Sequence, residues 1–210
     1  MGNMMINIVL GHQSEQAIAA VAVFRTLEGL VIAFFSGFSN VATVLVGKEV
    51  GAGRHEVAYQ RGWRLIYLCS GLIGTACLVI IGIHNPLLHA MGLHDESYRI
   101  GTGMLLIYSV AAVLRMGNWA QNDTYRAAGD AAFGSVMEIA FMFLMVLPCV
   151  YAANFGFHAP FLLVFALCYV DEPVRYVIMQ RHMYSAKWIK PVSEEGQATI
   201  GAFRREHGVK

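Results

Sequence analysis

The sequence predicts an all-α protein, a polytopic bundle of helices that crosses a membrane. Of its 210 residues, 57% are hydrophobic and only 14% are charged, whereas soluble domains carry about 25% charged residues. The mean hydropathy is +0.52. Five stretches also reach the roughly 20 mostly apolar residues that a helix needs to cross a bilayer. A chain so poor in charge cannot cover itself with polar groups, so lipid is its expected solvent.

The predicted spans follow from the positions of these apolar stretches. Ahead of the first span, residues 4–10 are apolar but too short to cross, and we interpret them as the last half of a helix whose beginning is missing. A short interfacial helix is the alternative. Pro148 and Pro173 each remove a backbone donor and are predicted to bend the fourth and fifth spans. The full spans are residues 17–47, 62–83, 100–122, 131–153 and 160–180.

Lysine and arginine are distributed unevenly among the connections between spans. Residues 47–64 and the segment from residue 181 are rich in them, and the short connection at residues 126–130 contains Arg126. Cytoplasmic loops are the ones rich in these residues, so these two connections and the carboxyl-terminal segment are predicted to lie inside. The chain is thus predicted to comprise a transmembrane helical lobe, residues 1–183, and a solvated cytoplasmic tail, residues 184–210.

The first span contains an arginine and a glutamate. A charged side chain at mid-bilayer costs about 2.5–3.5 kcal/mol on insertion scales, so such residues usually face a cavity or a partner. Arg25 and Glu28 are three residues apart, which places them on one helix face, where they can pair. The pair is interpreted as a polar patch lining a central cavity or, alternatively, as a self-neutralising pair without a role in binding.

The third span ends in a strongly polar face. Asn118 and Asn122 are four residues apart, and Gln121 and Asp123 lie beside them in the sequence. A helix surrounded by lipid would not tolerate so many polar groups, so this face is predicted to line a water-accessible cleft. There the ring of Trp119 could help to hold a cation. The alternative is that this end of the helix already lies at the membrane surface.

Two carboxylates and a guanidinium, those of Asp171, Glu172 and Arg175, interrupt the fifth span. A carboxylate held in a low dielectric can take up and release a proton near physiological pH, which suits proton coupling. The alternative is a buried ion pair that orients helices. The candidate residues for binding a substrate or a coupling cation are Arg25, Glu28, Asn118, Gln121, Asn122, Asp123, Asp171, Glu172 and Arg175.

The sequence gives little support to enzyme, metal-binding or nucleic-acid-binding functions. The four cysteines form no CxxC pair, so neither a zinc site nor a disulfide framework is expected. His94, Asp95 and Glu96 form the one dense titratable cluster, which we interpret as a solvated turn in an external loop. HExxH and GxSxG motifs are absent from the sequence. The net charge of +1 gives no field that would attract nucleic acid, so no nucleic-acid binding is predicted. Because catalytic motifs are absent, the protein is also predicted to be no enzyme and to need no cofactor.

Several short motifs resemble those of multidrug and toxin extrusion (MATE) transporters, in particular bacterial members. VGKEVGAGR at residues 46–54 resembles the V-G-x-x-x-G-A-G pattern that follows the eighth helix of that family. YRAAGD at residues 125–130 resembles the L-R-x-x-G-D signature after the tenth helix, with Tyr125 in place of the usual leucine. Further features in matching order are Ala58-Tyr59, AIAA at residues 17–20, Pro148, Glu172 with Arg175, and KWI at residues 187–189.

The resemblance implies a transporter of about twelve helices in two lobes around a central cavity. It implies export of drugs or other amphipathic organic cations by alternating access, coupled to a proton or sodium gradient across a bacterial plasma membrane. This chain would be the carboxy-terminal lobe, from a partial seventh helix to the twelfth, embedded in the lipid bilayer. Its expected partners are therefore a cationic small molecule and a missing amino-terminal lobe.

Two departures from the family pattern leave alternatives open. First, the amino-terminal lobe, which carries an acidic cation site in many members, is expected to be missing. Second, the region equivalent to the tenth helix has no acidic residue before Asp123. One alternative is a lipid-linked-sugar flippase of a related fold, which Arg25, Arg115 and Arg175 would suit because its cargo is anionic. Another is an inactive gene fragment.

Overall fold

The computed structural model describes residues 15–208, in which helices are the regular elements. The half-helix predicted at residues 4–10 lies outside the described residues. The predicted all-α class is confirmed. In chain order the elements are α1 (Glu15–Gly51), α2 (His55–Gly82), α3 (His84–Ala90), α4 (Asp95–Ala127), α5 (Ala131–Phe141), a π-helical turn (Met142–Val146), α6 (Leu147–Tyr151), a second π-helical turn (Ala152–Gly156), α7 (Phe161–Leu167), α8 (Asp171–Tyr184) and α9 (Glu194–Glu206).

Within the described range, four helical stretches are long and apolar enough to cross a membrane. They are Ala17–Gly37, His55–Gly82, Asp95–Ala127 and Ala131–Gly156. Large apolar side chains on these stretches are exposed: Leu78, Val110 and Leu144 are 71%, 73% and 80% exposed. Water penalises such a surface, whereas lipid accommodates it. The chain is therefore a multi-pass membrane protein.

The fifth predicted span is not a continuous helix. Between residues 160 and 180 the chain forms α7, a turn at residues 168–170 and the beginning of α8. In the turn, the N–H groups of residues 169 and 170 bond the carbonyls three residues earlier. Pro173 lies in the first turn of α8, where its missing N–H is tolerated, and its ring would clash with a helix continuing through residue 169. The prediction of a fifth full span is corrected to two short helices.

Pro148 coincides with a change of helical geometry in the fourth span. It lies in the first turn of α6, directly after the π-helical turn Met142–Val146. Because proline has no N–H, it cannot make the usual bond to the carbonyl four residues earlier, and a wider turn accommodates the missing donor. The predicted disturbance at this proline therefore takes the form of an altered helical turn.

The chain forms two compact units. Unit 1 contains the described residues 15–33 with Ile73–Val113 and Ile139–Glu172, and unit 2 contains Phe34–Leu72, Leu114–Glu138 and residues 173–208. Each unit has its own buried apolar core, which is the main source of its stability. Core members of unit 1 are Phe24, Ile73, Met104, Val150 and Phe165. Core members of unit 2 are Ile66, Met116, Tyr125, Met183 and Trp188.

The segment predicted to be a solvated tail folds onto unit 2. Trp188 is fully buried, and α9 follows it with Phe203 buried as well. Ser193 caps α9 because its hydroxyl accepts a hydrogen bond from the N–H of Gly196, and the same hydroxyl donates to the carbonyl of Gly51 at 2.6 Å. This segment therefore contains a helix with a defined start and a buried apolar side chain, and most of its other residues are exposed.

The connection between α1 and α2 is shorter than predicted. Only residues 52–54 separate the two helices. Glu49, which is 4% exposed, accepts hydrogen bonds from Nε of Arg54 and from Nη1 of Arg61, the second at 2.9 Å. Charge-assisted hydrogen bonds of this kind are stronger than neutral ones. The carboxylate thus fastens the last turn of α1 to the beginning of α2.

Acidification is expected to weaken this junction. The hydrogen bond from Arg54 lowers the pKa of Glu49 below its ordinary value of 4.5, and the nearby positive charges act in the same direction. A group with a lowered folded-state pKa contributes stability that is present above its unfolded value and is lost as pH falls through its folded value. Thermal unfolding in detergent should therefore occur at lower temperature as the pH drops below 4.5, and Glu49→Gln should lessen this loss.

The control for this prediction is Glu206→Gln, at an exposed position near the end of α9. It should keep the pH dependence of the wild type. A Glu49→Gln variant whose unfolding temperature falls as steeply with acid as that of the wild type would contradict the assignment.

Candidate functional site

The first candidate site is a pocket within unit 1. It is a small hollow with room for about one water molecule. The residues from α1 recur at intervals of three or four, so they share one helix face. The lining consists of Phe24, Leu27, Glu28 and Val31 from α1, Cys77 and Ile80 from α2, and Leu105, Tyr108 and Ser109 from α4.

Aromatic rings form and support one wall of this pocket. The ring of Phe24 is 5.0 Å from that of Tyr108 and 5.1 Å from that of Phe165, and both pairs are nearly perpendicular. Tyr108 in turn contacts the ring of Tyr169 at 5.7 Å. Edge-to-face contacts of this kind are favourable beyond the area they bury. The wall is therefore a packed apolar surface supported from behind.

Glu28 contributes the carboxylate of this pocket. The residue is 3% exposed, and its Oε2 accepts a hydrogen bond from Nη1 of Arg25 at 2.5 Å. The predicted pairing of Arg25 with Glu28 is confirmed. A buried carboxylate without a positive partner is costly. Arg25 supplies such a partner to Glu28.

A second pocket lies within unit 2, and it brings together part of the predicted polar face of α4. Three of the candidate residues line it: Asn118, Asn122 and Arg175. It is smaller than the pocket in unit 1. The complete lining is Asn118, Trp119, Asn122, Gly134, Glu138, Arg175 and Met179.

Gly134 makes room for the amide of Asn122 in this second pocket. A β-carbon built at position 134 would lie 1.9 Å from Oδ1 of Asn122, which no side chain could tolerate without movement. Small residues let membrane helices approach closely. The absence of a side chain at Gly134 therefore allows α5 to pack against the polar face of α4.

The other candidates on α4 do not line the pocket. Gln121 is fully buried, and the hydroxyl of Tyr125 lies 3.4 Å from its Oε1. Oδ1 of Asp123 lies 3.7 Å from Nη1 of Arg126. Trp119, which does line the pocket, was expected to help hold a cation, and the guanidinium of Arg115 already lies 5.3 Å from its ring centre.

The cluster predicted on the fifth span divides between the two units. Asp171 and Glu172 belong to unit 1 and are 5% and 4% exposed, whereas Arg175 belongs to unit 2 and is 6% exposed. Neither carboxylate lines the pocket that contains Glu28, and Arg175 lines the pocket of unit 2.

Sequence reasoning did not identify several lining residues. Phe24 could have been recognised, because it lies four residues before Glu28 and therefore on the same helix face. Tyr108 and Cys77 could not, because their approach to Glu28 depends on how three helices pack. The same holds for Glu138, which meets Asn118 and Asn122 only through the packing of α5 on α4.

The motif at residues 125–130 forms a structural cluster. Asp130 is 3% exposed, and its carboxylate accepts hydrogen bonds from Nζ of Lys190 at 2.7 Å and from Nε2 of His182 at 2.9 Å. The hydroxyl of Tyr125 donates to the carbonyl of Met179. These bonds attach α8 and the segment after it to the end of α4. The motif therefore organises unit 2 and lies outside the lining of its pocket.

Comparison with known proteins gives a family and a relative. The family model described as MatE matches residues 1–152. Over 195 residues the chain is 27% identical to the Uncharacterized transporter YisQ of Bacillus subtilis (strain 168). This match covers 90% of the chain and 42% of that relative, so the chain spans less than half of the relative's length. No solved structure matches the chain significantly.

Proposed function

Because the chain belongs to the MatE family, we propose that it is one lobe of a cation-coupled antiporter that exports amphipathic organic cations. The observation that carries this proposal is Glu28, a buried carboxylate that lines an otherwise largely apolar pocket. The carboxylate attracts a positive charge, and the aliphatic and aromatic walls accept an organic body. A cationic amphiphile satisfies both requirements.

The same carboxylate provides a route to coupling. A proton taken up by Glu28 neutralises it and removes the attraction for an organic cation, and loss of the proton restores that attraction. Substrate and proton would thus exclude each other at one group. Antiport requires such exclusion, because each ligand must be released before the other binds. Protonation of Glu28 would supply this exclusion if the coupling ion is a proton. If the coupling ion is sodium, it would have to compete with the substrate for the carboxylate oxygens of Glu28.

The proposal also includes a second lobe and an orientation in the membrane. Since the chain spans 42% of its relative, an amino-terminal lobe would complete the central cavity. The concentration of lysine and arginine in the 47–64 segment and after residue 181 supports a carboxyl terminus inside a bacterial plasma membrane. Alternating access would expose the pocket of unit 1 first to one side and then to the other.

Binding of benzyltrimethylammonium to the full chain in detergent tests the proposal. Its quaternary ammonium and single ring combine one positive charge with a small apolar body. We expect Glu28→Gln to weaken binding about 100-fold, because a buried charge partner is lost. Wild-type binding should weaken as the pH falls, and this dependence should be much smaller in Glu28→Gln.

Three controls separate the alternatives. Neopentylbenzene has the same shape without the charge and should bind much more weakly than the cation. Glu138→Gln alters the carboxylate of the other pocket and should leave binding near the wild-type value. Binding of the cation that does not change with pH would contradict the role of Glu28, and preferential binding of an anionic amphiphile would favour the flippase.

A further inference from the structure

Three aromatic rings lie together on the outer surface of unit 2. The ring centre of Trp63 is 4.5 Å from that of Tyr184 and 5.7 Å from that of Tyr67. Tyr184 is 65% exposed and Tyr67 is 60% exposed. Tryptophan and tyrosine are enriched where a membrane meets water, because their rings are apolar and carry one polar group. The contacts of Trp63 therefore join the outer faces of α2 and α8 through side chains suited to that boundary.

The outer face of α8 changes from apolar to basic along its length. Val174, Val177, Arg181 and Tyr184 are all exposed, and they recur at intervals of three or four residues, so they share one helix face. The two valines suit contact with acyl chains, whereas the arginine and the tyrosine suit the headgroup region. This face therefore passes from the hydrocarbon to the membrane surface.

The outer face of α2 makes the same change in the opposite direction along the chain. Arg64 is exposed, and the exposed Tyr67 and Leu68 follow it one turn later. Residues 65–82 carry no charge, and they span about 27 Å of helix, close to the roughly 30 Å of the hydrocarbon core. Arg64 therefore lies where the hydrocarbon ends, and the contact between Trp63 and Tyr184 places the basic ends of both faces at one level.

The charge of this surface is positive. Arg64 and Arg181 are exposed, and neither forms an ion pair with any residue that the structure describes. Residues 57–72 and 173–193 contain no aspartate or glutamate. The preceding carboxylate on α2, that of Glu56, is about 12 Å from Arg64 along the helix axis and lies 3.4 Å from Nε2 of His207. Two arginines without an acidic partner therefore face the membrane surface, where a guanidinium can bind a phosphate.

We propose that this surface binds the headgroup of an anionic phospholipid. The guanidinium groups bind the phosphate, the rings lie among the headgroups, and the exposed valines and leucine contact the acyl chains. A lipid fits better than a soluble anion, because the basic ends continue directly into exposed apolar faces. Both arginines also lie in segments predicted to face the cytoplasm, where anionic lipids attract basic residues. The lipid-binding surface consists of Trp63, Arg64, Tyr67, Arg181 and Tyr184.

Quenching of tryptophan fluorescence measures this binding. The full chain in detergent is titrated with phosphatidylglycerol that carries bromine on its acyl chains, and separately with brominated phosphatidylcholine. We expect phosphatidylglycerol to bind about 25-fold more tightly, because each of two basic residues near the membrane surface contributes about fivefold. Trp63→Phe keeps an aromatic ring and should remove most of the quenching. Quenching that persists in this variant would arise elsewhere and would contradict the site.

Charge-neutral variants test the two arginines. Arg64→Gln and Arg181→Gln should each lower the preference for phosphatidylglycerol about fivefold, and the double variant should abolish it. The matched control is the double variant of Arg204→Gln and Arg205→Gln, which removes the same charge from exposed positions near the end of α9. It should keep the wild-type preference. Raised salt should reduce that preference, because screening weakens exposed charges.

Three results would overturn the inference. One is equal binding of the two lipids by the wild type, and another is a preference that survives in the double variant of Arg64 and Arg181. The third is displacement of brominated phosphatidylglycerol by glycerol 3-phosphate, which would show that the surface binds a soluble anion. None of these results involves Glu28, so this inference and the proposed function can fail separately.

Discussion

Replacing Trp188 by alanine is expected to destabilise the protein by about 3–5 kcal/mol, the range for removing a large buried aromatic side chain. Trp188 is fully buried in unit 2, and its indole N–H donates to the carbonyl of Met183 at 3.1 Å. Its ring stacks on that of Tyr59 at 6.3 Å and lies 6.0 Å from that of Tyr125. Alanine would leave a cavity at the centre of an aromatic cluster, which a rigid core fills only partly.

Thermal unfolding in detergent, followed by near-ultraviolet circular dichroism, measures this loss. The matched control is Trp63→Ala, because Trp63 is also aromatic and clustered, with Tyr184 4.5 Å away, but is only partly buried. Its replacement should cost less than half as much. Equal losses for the two tryptophans would show that burial in unit 2 does not determine the effect.

Replacing Gly129 by alanine is expected to cost about 3–4 kcal/mol, the sum of backbone strain and broken hydrogen bonds. The glycine has a φ of +94°, and a β-carbon there would lie 2.2 Å from the carbonyl oxygen of Lys190. Lys190 cannot easily retreat, because its N–H donates to Ala128 at 2.8 Å and its Nζ to Asp130 at 2.7 Å. An added methyl group must therefore break the attachment of this segment to the end of α4.

Gly92→Ala is the matched control for Gly129→Ala. Gly92 has a similar φ of +81°, and its β-carbon would meet no atom within 4 Å. It should show the conformational strain alone, about 1 kcal/mol. Apparent unfolding temperatures should thus fall by roughly 10 °C for Gly129→Ala and by about 3 °C for Gly92→Ala. Equal shifts would mean that the close approach of Lys190 has no energetic consequence.

Local patterns in the sequence were sufficient to predict that the protein spans a membrane and that Arg25 and Glu28 can pair. Apolar length and scarcity of charge predict membrane-spanning helices, because both properties are measured along a single segment. The pairing of Arg25 with Glu28 was predictable for the same reason, since a separation of three residues fixes proximity on any helix. The apolar run at residues 160–180 shows the limit of such reasoning, because composition does not reveal that the chain turns at residues 168–170.

The candidate site itself was only partly predictable. The polar face of α4 suggested one shared cleft, whereas the structure places Asn118 and Asn122 in a pocket and uses Gln121 and Asp123 elsewhere. The difference arises because a helix meets different neighbours at each turn. Gly134 and Glu138 on α5 complete the pocket, and nothing in the sequence of α4 specifies which part of α5 lies opposite.

The sequence by itself determined that the chain is a membrane-embedded helical protein and that Arg25 and Glu28 share one helix face, where they can pair. These properties depend on segments of one helix or less. The tertiary structure alone decided that Tyr108 and Cys77 join Glu28 in one pocket, and that α9 returns to cover the end of α1. Such contacts join residues that are far apart in the chain. They depend on which buried helix faces fit together, and no single segment determines that fit.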